Sequence, residues 1–212
     1  GKNKYRECVV AGDNKYLISA DYAQQELRIL ADITRDKKML DTFEKGLDAH
    51  KVTAAGLFNK SYDEITSAER KRGKILNFAI NYGSTEYGLE RNFNIPINIG
   101  KDNIENYFKF YSDYANYIDY ISGIIWDKGY ASTLLGRKRF FDKKILYEPG
   151  ISMASYKEKT LRSLRNMIVQ GSGADMVKIA LVKIFYEKLS IYNLKILFGS
   201  VVVFVLVFLS GS

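Results

Sequence analysis

The chain is poor in residues that cross-link or interrupt a fold. Its single cysteine, Cys8, excludes an intrachain disulfide, and no CxxC or Cys/His spacing offers a structural zinc site. That cysteine usage fits a reducing compartment. The lone histidine, His50, lies in Asp48-Ala49-His50-Lys51, where it reads as a structural or exposed residue near a helix start. Two prolines, Pro96 and Pro149, fall beside turns, and no Pro/Gly/Ser linker or internal repeat divides the chain. The first residues hold neither the apolar segment of a signal peptide nor an initiator methionine, so the expectation is a non-secreted protein whose start is missing. The most apolar stretch, Ile196 to Leu209, is shorter than the roughly 20 residues of a membrane-spanning helix. Its valines and phenylalanines read as a buried strand. No carboxylate follows Glu187.

What is present suits a folded body with a charged partner. The chain has 212 residues and is 47% hydrophobic, enough for a core and for one domain or a large piece of one. Lys and Arg number 32 against 24 Asp and Glu, a net charge of +8. That excess points to a polyanion, nucleic acid first, with an unpartnered basic surface as the alternative.

The pattern of elements predicts an α+β fold. Two short strands flank a turn at Gly12-Asp13-Asn14, and a helix runs from Gln24 to Leu40. A short helix over Asp48–Leu57 takes Asp48 as N-cap. A longer one over Ser67–Gly83 takes Ser67 as N-cap and Gly83 as its stop. The next helix spans Lys101 to Gly129, with Tyr107, Tyr111, Tyr114 and Ile118 forming a core stripe. Arg137 to Lys144 reads as a basic turn. A helix over Glu158–Leu189 is interrupted at Gly171-Ser172-Gly173.

Four constellations carry chemistry. Asp21 ends an apolar strand, where a carboxylate points out of the sheet edge and suits Mg²⁺; capping the next helix is the alternative. Arg70, Lys74 and Phe78 are spaced to share one helix face, with Tyr82 four residues on. Two cations and two rings there can cradle a nucleoside triphosphate; otherwise the face is solvated charge. Gly136-Arg137-Lys138-Arg139 places cations on a turn, suited to a phosphate backbone or to solvent. Arg162, Asn166 and Gln170 repeat the one-face spacing, where amides can meet minor-groove acceptors or form a polar outer face.

Taken in order, these segments resemble the DNA polymerase I family, family A. Residues 19–34, SADYAQQELRILADIT, are similar to its motif A. Residues 70–83 match motif B at Arg70, Lys74, Phe78, Tyr82 and Gly83. STLLGRKRFF, RNMIVQGSGADM and DAHKVTAA are similar to three further family segments, and the correspondence runs from about Tyr5 to about Leu189.

The resemblance implies a single partial polymerase domain over 1–212. Palm strands and the motif A helix would fill about 1–40, fingers about 41–130, and a return to the palm about 131–212 with an aberrant tail. It implies template-directed DNA synthesis, with primer–template DNA and dNTPs as partners. Two Mg²⁺ ions would be held in the intact parent by Asp21, with the Tyr22 carbonyl assisting, and by a second aspartate. Asp21, Arg70 and Lys74 would be catalytic. Glu26 would exclude a ribose 2′-OH, and His50, Arg70 and Lys74 would bind the triphosphate. Phe78 would flank the sugar and disfavour dideoxynucleotides, and Tyr82 would pack at the templating position. Gln24, Asn166 and Gln170 would touch the primer–template minor groove, with Arg162 beside them and Arg137, Lys138 and Arg139 on the backbone. The expected location is the cytoplasm at the nucleoid, an organelle or a phage-infected host.

One departure weighs most. Where the family carries an acidic His-Asp-Glu hairpin, this chain reads Gly199-Ser200-Val201-Val202. Truncation or a frame change after Leu197 would account for it. Ala23, Gln25, Asn81 and Ile168 also depart from the pattern without removing a charged catalytic group. The alternatives are a fragment that binds nucleotide or primer–template without catalysis, and a single-subunit RNA polymerase, against which Glu26 argues.

Overall fold

The computed structural model describes residue 10 and residues 15–142, 152–192, 195–198 and 203–208. The chain divides into two compact units, Gln25–Gly173 and Gly1–Gln24 with Ala174–Ser212. The fold is mostly helical with small antiparallel sheets, as the α+β expectation requires.

In the larger unit, α1 (Gln25–Thr34) is followed by α2 (Lys37–Glu44) and α3 (Ala49–Phe58). Next come α4 (Ser67–Asn81), α5 (Glu86–Phe93), α6 (Ile97–Phe110) and α7 (Ser112–Lys128). A hairpin of β2 (Tyr130–Ser132) and β3 (Lys138–Phe140) leads to α8 (Met153–Tyr192), whose residues up to Gly173 belong here. One core gathers Leu30, Leu76, Ile80, Leu89, Tyr107 and Tyr111. A second joins Ile125 and Ala131 to Leu161, Leu164 and Ile168. The aromatic stripe is core, as its spacing predicts: Tyr107, Tyr111 and Tyr114 are buried and Ile118 packs against them.

Several boundaries differ from the sequence expectation, each for a local reason. The helix expected from Gln24 to Leu40 breaks into α1 and α2. Arg35 turns left-handed at φ 55°, and Asp36 caps α2 by accepting from the amides of Lys38 and Met39. The helix expected from Lys101 to Gly129 breaks at Tyr111 into α6 and α7. Buried Asp36 serves both breaks, because its second oxygen accepts from the Tyr114 amide at 3.2 Å. Asp113 reciprocates by accepting from the Lys37 amide. α4 begins at Ser67, where the expected range begins, but ends at Asn81 and takes a different cap. Thr66, not Ser67, is the cap, in a capping box whose Glu69 carboxylate accepts from the Thr66 amide at 2.9 Å.

No interruption occurs at Gly171-Ser172-Gly173, and α8 runs through it. Those glycines serve close packing instead: a Cβ at Gly171 would lie 2.7 Å from the Thr133 methyl. The basic segment after Gly136 is partly strand, since Lys138–Phe140 pairs with Tyr130–Ser132.

In the smaller unit, β1 (Lys15–Ala20), β4 (Lys195–Phe198) and β5 (Val203–Phe208) form an antiparallel sheet in the order β1-β5-β4. Ala20 and Phe198 both pair with Val203. The apolar stretch expected as one strand is therefore two. The first strand expected before Gly12 lies outside the described residues, as does Gly199-Ser200-Val201-Val202. No helix among the described residues is long and apolar enough to cross a membrane.

Candidate functional site

The site is built on α4. The Thr66 capping box fixes where this helix starts and hence which side chains share a face. Lys60 adds an ion pair to Glu69 of that box. One turn on, the Arg70 guanidinium donates through Nε to Asp48 Oδ2 at 2.8 Å and again through Nη2. Asp48 also caps α3, accepting at Oδ1 from the amides of His50 and Lys51. A single carboxylate thus sets the start of one helix and holds the leading cation of the next.

Burial alone would raise the Asp48 pKa, but the Arg70 guanidinium and the two amides outweigh it and hold the carboxyl below its usual range. The sign follows. A depressed folded value contributes stability above the unfolded value and loses it as pH falls through the folded one. Both side chains are partly exposed, so the contribution is below about 1 kcal/mol. Thermal unfolding followed by circular dichroism should show the midpoint falling as pH drops below about 4, the ordinary aspartate range. Asp48→Asn keeps the cap but removes the charge, so it should flatten part of that fall. An unchanged profile would remove the charge from the account.

The rest of the α4 face continues the series. Lys74 is exposed and makes no ion pair among the described residues; its Nζ stands 5.9 Å from the centre of the Phe78 ring. The Phe78 ring lies 5.7 Å from His50 and 6.3 Å from Tyr82, nearly parallel to the latter. The Tyr82 hydroxyl donates to Glu26 Oε2 at 2.9 Å. Burial and that carboxylate push the Tyr82 pKa up, against a smaller opposing effect of the Gln170 side chain bonded to it. Burial pushes the His50 pKa down; the Asp48 charge opposes this, and the Arg70 and Lys74 charges add to it. Glu26, His50, Arg70, Lys74, Phe78, Tyr82 and Gln170 therefore belong to one connected surface.

Gly83 ends α4 at φ +71°, as its stop position predicts. A side chain there would collide with the methylenes of Arg162. The glycine lets α8 come close and brings Arg162 and Asn166 beside Glu26, around a cavity of about 250 Å³. Two polar atoms on its wall, Arg162 Nε and Asn81 Oδ1, are buried without a hydrogen-bond partner among the described residues.

The hairpin cations stand in different settings. Gly136 makes the turn at φ +86°, and Arg137 donates through Nη2 to the Gly171 carbonyl at 3.1 Å. Arg137 thus ties the hairpin to α8 instead of standing free on a loop. Lys138 lies over the Tyr130 ring at 4.6 Å, and Arg139 is exposed.

Asp21, Tyr22 and Gln24 belong to the other unit. Asp21 and Tyr22 are exposed just after β1, and Gln24 turns left-handed at φ 53°. No group of three or more His, Cys, Asp or Glu among the described residues is placed to hold a metal ion. A two-metal centre needs more than one carboxylate to neutralise and space its ions, so the described residues do not fit one.

Sequence reasoning missed Asp48 as the partner of Arg70, Gly73 and Asn77. Asp48 stood only as a cap, although its i+22 partner lies on the next helix. Gly73 and Asn77 sit on the inner face of α4, where a glycine and an amide in an otherwise apolar stripe were the available signal.

Comparison with known proteins gives these residues a family. The model for "DNA polymerase family A" matches residues 1–198, ending immediately before Gly199. DNA polymerase I of Geobacillus stearothermophilus is 36% identical over 84% of this chain and 20% of its own length. That of Caldicellulosiruptor bescii is 36% identical over 90% of this chain and 22% of its own. The thermostable DNA polymerase I of Thermus thermophilus is 32% identical over 86% and 21%. The chain thus spans about a fifth of the length of the curated relatives it matches. Among solved structures, the polymerase domain of Pol1 from M. smegmatis, in complex with DNA primer-template and dNTP, superposes with a TM-score of 0.84. It is 29% identical, and the match covers 97% of this chain and 36% of that one. With its motif A and motif B residues in these positions, the chain belongs to DNA polymerase family A.

Proposed function

We propose that this chain is the nucleotide-holding portion of a template-directed DNA polymerase, the intact parent of which acts on deoxynucleoside triphosphates over primer–template DNA. The observation that carries the reading is the continuous face Arg70–Lys74–Phe78–Tyr82, with His50 and Glu26 against it. In this reading the cations of Arg70 and Lys74 meet the triphosphate, and a phosphate displaces the Asp48 carboxylate from Arg70. Charge on the departing pyrophosphate is met by the same cations as the primer 3′-oxygen attacks the α-phosphate. Phe78 flanks the sugar, and Glu26, fixed by Tyr82, fills the space a 2′-OH would need. Tyr82 packs at the templating position. Gln24, Asn166, Gln170 and Arg162 face the minor groove, while Arg137, Lys138 and Arg139 follow the backbone. A place beside the genome goes with this reading.

Family A DNA polymerases are metal-dependent, and two Mg²⁺ ions are the expected complement of an intact parent. This chain supplies Asp21 and no acidic residue after Glu187. We therefore propose that it binds nucleotide and primer–template but extends primers at background rates. Primer extension by the purified chain with Mg²⁺ and dNTPs checks this. Robust extension would contradict the half-built metal site.

A further inference from the structure

We infer that Asn77 is a positioning residue that locks His50 in the tautomer with its proton on Nε2, so that this N–H is available to donate to a phosphate oxygen of the incoming nucleotide. The inference rests on the proposed nucleotide site and deepens it.

The geometry is confined to the buried seam between α3 and α4. The Asn77 amide is 1% exposed, and its nitrogen lies 3.1 Å from His50 Nδ1. Which end of the amide faces the ring decides the tautomer, because an amide nitrogen only donates and an amide oxygen only accepts. The Ala49 carbonyl oxygen, 3.5 Å from that same amide end, and Thr53 Oγ1, 2.9 Å from it with its own proton on the Ala49 carbonyl, both call for a donor there. Two oxygens facing each other there would repel in a medium without water, so the nitrogen occupies the position.

Asn77 Oδ1 accepts from the Tyr107 hydroxyl at 3.0 Å, while Nδ2 also donates to Thr53 Oγ1 at 2.9 Å, whose own proton goes to the Ala49 carbonyl at 2.8 Å. Thr53 is in turn bonded to the Tyr111 hydroxyl at 2.8 Å. Tyr107 and Tyr111 are both buried on or beside α6, so three helices hold the amide.

With Nδ1 accepting from Asn77, the neutral ring must carry its proton on Nε2. That nitrogen makes no hydrogen bond among the described residues. The other titratable groups near the ring are Asp48, Arg70 and Lys74, and burial favours the neutral form. A neutral Nε2–H beside the two cations adds a directed donor to a triphosphate site without adding a third like charge.

His50 is the chain's one histidine, so ¹⁵N-histidine labelling of the full chain reports this ring alone. Long-range ¹H–¹⁵N spectra at neutral pH should show a protonated Nε2 and a bare Nδ1. Adding dATP should shift Nε2 more than Nδ1. Tyr107→Phe removes one anchor of the amide while conserving shape, and it should admit the second tautomer and weaken dATP binding roughly threefold, as loss of a single hydrogen bond would. A protonated Nδ1 in the unaltered chain overturns the inference, and needs no variant to fold. A shift confined to the amides of Arg70 and Lys74, with Nε2 unmoved, also overturns it while leaving the nucleotide site intact. No dATP response at any of these residues would instead remove the site on which the inference rests.

Discussion

Replacing Lys74 with alanine should weaken deoxynucleoside triphosphate binding roughly ten- to a hundredfold, as expected for losing a hydrogen bond to a charged group. The size follows from what Lys74 is doing without nucleotide. It is exposed and forms no ion pair among the described residues, so its removal leaves no stranded carboxylate. The whole change should appear in the affinity, with the unfolding midpoint nearly unmoved, because lysine and alanine are both good helix formers. Arg70→Ala differs in kind. It leaves Asp48 without its guanidinium, so it should lower stability as well as affinity. Titration of the chain with dATP, followed by fluorescence or calorimetry, separates the two. Equal affinities for the unaltered and K74A chains would contradict the assignment of Lys74 to the phosphates.

A second large effect should come from a single methyl group. Gly73→Ala puts a Cβ onto the His50 carbonyl and within 3.1 Å of the Ala54 amide. Both neighbours are α3 backbone, which cannot rotate away as a side-chain tip could. Alanine would gain about 1 kcal/mol of helix propensity over glycine. Overpacking costs typically 1–3 kcal/mol, and more where only backbone can yield. The clash should win, with a net loss of about 2 kcal/mol and a drop in Tm of roughly 4–8 °C. The affected seam holds Asn77, Thr53 and His50, so dATP affinity should fall together with Tm. A G73A chain as stable as the original, or more so, would show that α3 and α4 can separate freely and that the seam is loosely held.

These two residues illustrate what could be read from sequence. Arg70, Lys74, Phe78 and Tyr82 were legible because they lie on one element, where helical spacing alone fixes who shares a face. Asp48 as the α3 cap, Gly83 as the α4 stop and the Tyr107–Tyr111–Tyr114 core stripe were legible for the same reason. The missed features all depend on a second element. Asp36 ends α1 and starts α2, yet its decisive partner is the Tyr114 amide on α7. Gly73 matters because α3 approaches it, and Asn77 because His50, Thr53 and Tyr107 converge on it. Gly171 and Gly173 looked like a break because glycine disfavours helix interiors. The Thr133 methyl and the Gln25 side chain occupy the space their missing Cβ atoms leave.

Arg72 offers the sharpest comparison. It lies on α4 between the proposed ligands but about 160° around the helix from their mean direction, at 100° per residue. R70A, K74A and R72A each remove one positive charge from the same helix. The most direct measurement is therefore a parallel dATP titration of the full chain and its R70A, K74A, F78A and R72A variants. A common loss in the first three with R72A unchanged is the expected result. Equal losses in R72A and K74A would mean that the nucleotide responds to overall positive charge and not to this face of the helix.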